Sequence, residues 1–185
     1  KRPSITHITD FETFGTDPFK DGIGSVSART FDESGNQIDD FEVFCKSEMF
    51  RLAHPEALMV NAITSNTLAN GQHPIEASKT LYDYFVSHGP SEILAWNASF
   101  DFKFSFMSFY QALMKEPYLW KRCGNNLICM MEVTRAIEAF EDSEKIIVPK
   151  IDGIHSFKQI DVAMSSVIFY QAHSSTEDIK ALEKL

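Results

Sequence analysis

The sequence predicts an α/β domain in which a mixed sheet is packed between helices. Two observations support this prediction: strand-like runs open the chain, and a short, fully apolar strand at residues 93–96 lies among segments with helical spacing. A fully apolar strand is typical of a parallel or mixed sheet that is covered on both faces. At 185 residues the chain has the length of one domain with a core of normal size.

Three strands are predicted at the start of the chain. The run from Ile5 is rich in β-branched residues, residues 23–31 alternate in polarity, and residues 38–46 return after a turn at 32–36. Residues 17–22 form the loop between the first two strands. The three strands therefore form a meander.

Helical spacing dominates the rest of the chain. Two short helices are expected at 55–60 and 65–69, and a longer one at 74–85 is stopped by Gly89 and Pro90. Residues 100–114 fit both strand and helix spacing, and the length of this segment favours a helix. The remaining predicted elements are helices at 128–140, 156–165 and 174–185, with a polar loop over 141–153.

Composition narrows the class of protein. No apolar run approaches the ~20 residues of a membrane span. Three scattered cysteines argue against a disulfide framework or a zinc site, so the expected compartment is the cytoplasm. The net charge of −9 counts against nucleic-acid binding, but bound divalent cations reverse the local charge where a phosphate would lie. The last residues stop inside a helical pattern, which indicates the N-terminal part of a longer protein.

Two carboxylates, Asp10 and Glu12, end the first strand. Side chains two residues apart project from the same face of a strand, and adjacent carboxylates repel each other unless a cation lies between them. Mg²⁺ and Mn²⁺ take oxygen ligands of this kind. The alternative is a pair of ordinary surface acids. The same tripeptide recurs at residues 40–42, where we interpret it as an exposed strand start.

A third carboxylate, Asp101, follows the short apolar strand. This position is the carboxyl edge of the sheet, where α/β proteins build their sites. The alternative is a helix start, with Asn97 as the N-cap and Asp101 in the first turns, where the helix dipole favours it.

A histidine and a fourth carboxylate lie near the end of the chain. Ser174 and Glu177 have capping-box spacing, so Glu177 is expected to be used structurally, which leaves Asp178 free to face inward. His173 would precede the helix on irregular backbone, and histidine titrates near neutrality, which suits a general base. The alternative is a surface histidine beside a second capping acid.

Together these five residues are the set that metal-assisted phosphodiester hydrolysis requires. Two cations about 3.5–4 Å apart can hold the attacking water and the leaving oxygen, while a base deprotonates the water. The spacing by itself predicts a two-metal site and no substrate.

In order and spacing, three motifs resemble the DEDD exonucleases of the subclass with a catalytic histidine: Asp10-x-Glu12, Asn97-x-x-Phe100-Asp101 and His173-x-x-x-x-Asp178. The tyrosine subclass would have tyrosine at position 174, which is serine here. The resemblance narrows to the exonuclease I branch, which degrades single-stranded DNA from its 3′ end, because residues 10–15 are similar to that branch's D-[FY]-E-T-F-G opening. The branch often has Asp-Ala after the histidine, whereas this chain has Ser174-Ser175.

The resemblance implies an RNase H-like fold over residues 1–185, with a central mixed sheet of about five strands, the first three antiparallel, flanked by helices. It also implies a 3′→5′ exonuclease that hydrolyses single-stranded DNA to 5′-mononucleotides with two Mg²⁺ or Mn²⁺ ions. Asp10, Glu12 and Asp178 would bind the first ion, Asp10 and Asp101 would bind the second, and His173 would be the general base.

Substrate contacts are implied by the same resemblance. The pocket for the 3′-terminal nucleotides would be lined by Thr13, Phe14, Ile63 and Thr64, the motif residues Asn97 and Phe100 would lie beside it, and Ser156 and Lys158 would contact the DNA backbone. The alternative for Phe14 and Ile63 is that both are core residues.

Several alternatives stay open at this stage. One is the same chemistry on RNA or in proofreading, another is a catalytically weak nucleic-acid-binding module, and a third is a domain whose acidic surface recruits a basic partner. The branch has further domains beyond the nuclease domain, and through them the whole protein could contact single-stranded-DNA-binding protein. No membrane partner is expected.

Overall fold

A five-stranded mixed sheet forms the centre of the protein. The computed structural model describes residues 4–48, 52–61, 63–140 and 145–185. The strand order is β3-β2-β1-β4-β5, where β1 is Ile5–Thr13, β2 Ile23–Phe31, β3 Gln37–Phe44, β4 Ser91–Ala95 and β5 Asn126–Cys129. The first three strands pair in antiparallel fashion, and β4 and β5 continue the sheet in parallel with β1. The predicted α/β class and the meander are confirmed.

Seven helices and a small hairpin complete the described part of the chain. The helices are α1 Pro55–Val60, α2 Ser65–Asn70, α3 Pro74–Ser87, α4 Ala98–Gln111, α5 Met130–Phe140, α6 Gln159–Ser165 and α7 Ser175–Lys184, and the hairpin pairs β6 Lys150–Ile151 with β7 Ile154–His155. No helix within these described ranges is both long and apolar enough to cross a membrane.

Two apolar cores lie on opposite faces of the sheet. On one face α3 and α4 pack their side chains around Phe11, and the cluster includes Val26, Leu81, Phe104, Phe109 and Trp120. On the other face Ile8 packs against Ile179 and Leu182 of α7 and Val162 of α6. Because side chains alternate along β1, Asp10 and Glu12 share the face of Ile8 and point toward α7.

The sequence predicts most elements to within a few residues, but three predictions are wrong. Residues 128 and 129, expected to begin a helix, belong to β5 (Asn126–Cys129), and the helix begins at Met130. The helix expected from 156 begins at Gln159, and part of the expected loop before it is the β6–β7 hairpin. For β5 and for the hairpin, a strand pairing that the local pattern does not contain decides the structure. Residues 141–144 of that loop lie outside the described residues.

We expect Phe109→Ala to lower the free energy of unfolding by about 3–5 kcal/mol, because the ring is fully buried and its removal leaves a cavity. The matched control is the adjacent Tyr110→Ala, which removes an aromatic ring that is 60% exposed and should cost less than about 1 kcal/mol. Urea unfolding of both variants measures the difference. Equal losses would contradict the placement of α4.

Candidate metal centre

Three carboxylates meet where the end of β1 faces the first turn of α7. Oxygens of Asp10, Glu12 and Asp178 all lie within 4.8 Å of one another. Glu12 and Asp178 are buried, and Asp10 is half-buried. The prediction that Asp10 and Glu12 share a face is confirmed by this geometry.

The fourth carboxylate approaches this group from α4 but does not belong to the set of three whose oxygens lie within 4.8 Å of one another. Asp101 is buried in the first turn of this helix, which follows β4 directly. Since β4 lies beside β1 in parallel, the carboxyl ends of both strands are at one edge of the sheet. The charge of Asp101 contributes to the raised pKa of Asp10, so the two groups are electrostatic neighbours.

Burial shifts all four groups toward the protonated form, and repulsion from the neighbouring carboxylates adds to this shift for Asp10 and Glu12. Burial, then the charges of Asp101, Asp178 and Glu12, raise the pKa of Asp10 well above its usual range. Burial, then Asp178 and Asp101, raise the pKa of Glu12 to about 8. Burial raises the pKa of Asp101 to about 7 against the opposing effect of backbone hydrogen bonds, and it also raises the pKa of Asp178.

A divalent cation fits this donor set. Among the described residues no lysine or arginine forms an ion pair with any of the four carboxylates, because every such pair involves other acids. Clustered carboxylate oxygens are the ligands that Mg²⁺ and Mn²⁺ prefer. A cation would offset both the cost of burying the four charges and the repulsion that raises the pKa values of Asp10 and Glu12.

Hydroxyl groups dock α7 against the sheet beside the carboxylates. The antiparallel register places Ser27 opposite Asp10 and Ser25 opposite Glu12. Ser175, the first residue of α7, has its Oγ 2.7 Å from Ser27 Oγ and 3.5 Å from Ser25 Oγ, and all three serines are buried. The first turn of α7 is therefore hydrogen-bonded to the strand next to the metal ligands.

The second Asp-Phe-Glu tripeptide takes part in this docking. Residues 40–42 lie in the middle of β3 and not at a strand start, so this part of the prediction is wrong, although Asp40 and Glu42 are exposed as expected. Glu42 lies opposite Ser27 in the register. Its Oε1 accepts a 2.6 Å hydrogen bond from Thr176 Oγ1 of α7.

The predicted capping box at the start of α7 does not form. Ser174 occupies the N-cap position, but its side chain makes no capping hydrogen bond. Instead its backbone N–H donates to Asp178 Oδ2 over 3.1 Å, and Glu177 pairs with Lys180. Asp178 nevertheless faces inward as expected, because it lies one turn after Ser174 on the face that carries Ile179 and Leu182 into the core.

His173 stands at the rim of the cluster. Its backbone has a φ of 66°, an uncommon conformation for a residue with a side chain. This agrees with the irregular backbone that the sequence predicts. The side chain is exposed, lines a cavity of about 590 Å³ together with Glu12, and its charge acts against the raised pKa of Asp178.

Helix α1 forms one wall of that cavity, and hydrogen bonds hold it to the end of β1. The backbone N–H of His54 donates to the Phe14 carbonyl over 2.8 Å, and Asn61 Nδ2 donates to the Thr13 carbonyl over 2.8 Å. The His54 ring pairs with Asp21 at 3.2 Å. A Cβ at Gly15 would lie 2.2 Å from Asp21 Oδ2 and 2.7 Å from the His54 ring, so any larger residue would displace this pair.

Some of the predicted substrate residues line this cavity and others do not. Thr13 and Phe100 border it. Phe14 is 2% exposed and does not, which favours the alternative that its ring is a core residue. Ile63 packs close to Gly24, and Thr64 caps α2 by accepting from the Thr67 N–H.

The other three predicted contact residues, Asn97, Ser156 and Lys158, precede helices and do not line the cavity. Asn97 is exposed at the N-cap position of α4 without a capping hydrogen bond, and Lys158 holds the same position in α6. Ser156 Oγ donates to Asp161 Oδ2 over 2.5 Å.

Sequence reasoning missed several residues of the site. They are the hydroxyl residues Ser25, Ser27, Ser175 and Thr176, the pair His54 and Asp21, and Tyr170. The Tyr170 hydroxyl is buried and makes no hydrogen bond of regular geometry. Burial raises its pKa, and the nearby Asp178 carboxylate raises it further. Of these residues, only Ser25 and Ser27 could have been found from the sequence, because the register of the predicted hairpin places them opposite Glu12 and Asp10.

A mixed sheet with a group of carboxylates and a histidine at its carboxyl edge is typical of an RNase H-like fold, and the acidic cluster fits metal binding. The family model described as Exonuclease (RNase T) matches residues 8–185. The chain therefore belongs to this exonuclease family.

Individual relatives agree with this membership. The chain is 26% identical to exodeoxyribonuclease I of Escherichia coli in a 185-position alignment that covers 98% of this chain and 39% of that protein. The structure of E. coli exonuclease I in complex with a dT13 oligonucleotide has a TM-score of 0.88 and 27% identity, covering 98% of this chain and 40% of that one. A complex described as ExoI/SSB-Ct has a TM-score of 0.84 and 25% identity, with coverages of 98% and 41%. The chain thus spans about two fifths of the length of these relatives.

We expect the free energy of unfolding in EDTA to fall as the pH rises from 5 to 8. With raised pKa values, the folded state binds more protons than the unfolded state between the ordinary carboxyl pKa near 4 and about 8, the value for Glu12, so stability decreases through this window. Each titrating carboxyl removes up to about 1.4 kcal/mol per pH unit. Urea unfolding at several pH values measures the slope, and Asp10→Asn should flatten it.

The same experiment with Mg²⁺ or Mn²⁺ tests the cation. Because the ion competes with protons for the carboxylates, it should stabilise the wild type more at pH 8 than at pH 6. Equal stabilisation of the wild type and Asp10→Asn would contradict the metal centre.

We expect Ser175→Ala to cost about 1 kcal/mol of unfolding free energy, because it leaves the buried Ser27 hydroxyl without this partner. The matched control is Ser174→Ala, which should be nearly neutral since that side chain makes no capping bond. The Ser27→Ala/Ser175→Ala cycle should show a coupling of at least about 0.5 kcal/mol. If Ser174→Ala lowered the free energy of unfolding more than Ser175→Ala does, the result would indicate that the Ser174 side chain caps α7 after all.

Proposed function

We propose that the chain is the catalytic domain of a divalent-metal-dependent 3′→5′ exonuclease that hydrolyses single-stranded DNA to 5′-mononucleotides. The observation that supports this most directly is the cluster of Asp10, Glu12 and Asp178, joined by Asp101, on an exonuclease-family fold. Burying like charges together is unfavourable unless a cation lies between them. The ring of the neighbouring His173 is exposed, so it is accessible to a substrate.

The roles proposed for the five residues are those that the family resemblance implies, and the clustering of the carboxylates supports them. Asp10, Glu12 and Asp178 would hold one divalent cation, and Asp10 and Asp101 would hold a second. When bound, the two cations polarise the phosphodiester and stabilise the charge on the leaving oxygen. His173 takes the proton of the attacking water from the solvent side of the cluster, where its ring is accessible. Mg²⁺ or Mn²⁺ is the proposed ion, since all the ligands are carboxylates.

The cavity beside Glu12 is the proposed site of the 3′-terminal nucleotide. Its volume of about 590 Å³ and its walls, which include Thr13, Phe100 and His173, give the terminal residue access to the carboxylates. Single-stranded DNA is proposed as the substrate because the relative of known structure has been solved with dT13 and dA16 oligonucleotides. Contacts from Ile63, Thr64, Asn97, Ser156 and Lys158 stay part of this proposal, with the DNA backbone as the target of the last two, whereas the buried ring of Phe14 is not included.

The wider setting is also proposed. Residues 1–185 would be one nuclease domain of a longer protein, since the relatives are more than twice as long. Segments outside these residues would contact single-stranded-DNA-binding protein, which the complex described as ExoI/SSB-Ct supports. The free thiols Cys45, Cys123 and Cys129 support a reducing compartment, the cytoplasm.

We expect the chain to shorten 3′-labelled and 5′-labelled single-stranded DNA stepwise from the 3′ end in Mg²⁺ or Mn²⁺ and not in EDTA. Asp10→Ala should lower the rate by at least about a thousandfold, because both cations lose a shared ligand, and His173→Ala should lower it by about 10²–10⁴-fold. The matched control is Asp40→Ala, which changes the same tripeptide at an exposed position and should leave the rate unchanged.

The same reactions with labelled single-stranded RNA show whether the protein prefers RNA or DNA as its substrate. Faster shortening of RNA would make the protein an exoribonuclease of the same family. Absence of cleavage together with tight metal-free binding would overturn the enzyme and favour a nucleic-acid-binding module.

A further inference from the structure

A strip of aromatic rings runs along the outer side of α4, away from the cavity. Phe102, Phe106 and Tyr110 are spaced four residues apart, so they stand above one another on the helix. Their neighbouring ring centroids are 6.3 and 6.0 Å apart with interplanar angles of 29° and 26°. Tyr118 joins them, with its ring 4.6 Å from Phe106. We call these four residues the aromatic strip.

Cations surround the aromatic strip. Lys121 Nζ lies 4.2 Å from the Phe102 ring centroid, and Arg122 Cζ lies 5.7 Å from that of Tyr118. The exposed Lys103 and Lys115 belong to the same segment. Residues 102–125 contain these four cations and a single carboxylate, Glu116, in a chain whose net charge is −9. The local charge is thus opposite to that of the whole chain.

The proposed nucleotide cavity differs from the aromatic strip in its charge. Among the residues that the structure describes, its lining includes the carboxylates Glu12, Asp21 and Glu56 and neither lysine nor arginine. Bound divalent cations would neutralise the scissile phosphate, but they offer nothing to the phosphates farther along the strand. Affinity for a polyanion must come from another surface.

We propose that the aromatic strip binds single-stranded nucleic acid upstream of the nucleotide in the cavity. The inference rests on the proposed function for its choice of DNA and for the strand's direction. Stacking rings next to phosphate-binding cations are the combination that single-strand-binding surfaces use. The strip begins beside Asp101, the carboxylate of α4, and extends about 12 Å from Phe102 to Tyr110 at 1.5 Å per residue. A strand whose 3′ end lies among the carboxylates therefore has the strip within reach.

Tyr110 and Tyr118 give the strip its accessible rings. They are 60% and 44% exposed, whereas Phe102 and Phe106 are half-buried beneath them. Bases would stack on the tyrosines, and Lys121 and Arg122 would meet the phosphates. A purely apolar partner would not need the cations, and a purely anionic one would not need the rings.

The test measures binding of fluorescent oligothymidylates of four and of twenty nucleotides to the 185-residue chain carrying Asp10→Ala, in EDTA, by anisotropy. Tyr110→Ala should weaken the Kd for the long oligomer about tenfold and leave that for the short one unchanged. Lys121→Ala/Arg122→Ala should also lower the slope of log K against log salt by about 1.4, at about 0.7 for each lost phosphate contact on single strands.

The matched controls are Phe140→Ala, an 80% exposed ring on α5, and Lys79→Ala, an exposed lysine on α3. Both should bind the long oligomer like the parent chain. Parent-like binding by the strip variants, or equal losses with both oligomers, would overturn the proposal. So would a chain that self-associates and becomes monomeric with Tyr110→Ala while its DNA affinity is unchanged, since the strip would then be a self-association surface.

This experiment does not depend on catalysis. A wild-type chain that cleaves nothing would overturn the proposed function, while a length-dependent loss of binding in Tyr110→Ala would still support the strip. Normal cleavage by the wild-type chain, together with parent-like binding by the strip variants, would support the proposed function and overturn the proposal for the aromatic strip.

Discussion

Repulsion among Asp10, Glu12, Asp101 and Asp178 is the constraint that the surrounding structure has to overcome. Each carboxylate is brought in by a different backbone segment or strand position, and burial denies them the screening that water would give. The sheet fixes the first two by alternation, and the parallel β1–β4 pairing fixes the start of α4. Asp178 differs from the other three, because α7 does not follow a strand of the central sheet directly as α4 does.

Two kinds of contact keep α7 in place against this repulsion. Ile179 and Leu182 bury apolar area against Ile8, which supplies most of the free energy but little directional control. The hydroxyls at the start of the helix supply the direction, because a hydrogen bond between Ser175 and Ser27 is sensitive to both distance and angle. Asp10, Ser27 and Glu42 form one row across three strands, and α7 is fastened to two of the three members.

The sequence predicts what depends on local periodicity and misses what depends on distant pairing. The alternation of β1 and the turn chemistry after it predict the shared face of Asp10 and Glu12, and the length of the pattern predicts α4. The four-residue β5 has no such signal, since it exists because β4 lies beside it. The Ser27–Ser175 contact joins residues 148 positions apart, and the capping-box pattern was outcompeted by Asp178, which takes the Ser174 N–H for itself. The chemistry and spacing of the five proposed catalytic residues predict a two-metal site, and the family resemblance adds their individual roles. The burial of Phe14 agrees with the core alternative and not with the pocket contact that the resemblance implies.

Helix α1 has a different kind of stability from the rest of the domain. None of its six residues is buried, and it is attached to β1 by backbone and side-chain hydrogen bonds at its two ends. Since none of its residues is buried, we expect the free energy of this local opening to lie far below that of global unfolding. The cavity wall would then open more readily than the sheet that carries Asp10 and Glu12. A terminal nucleotide that contacts this wall would draw the population toward the attached form, and part of its binding free energy would be spent on ordering the wall.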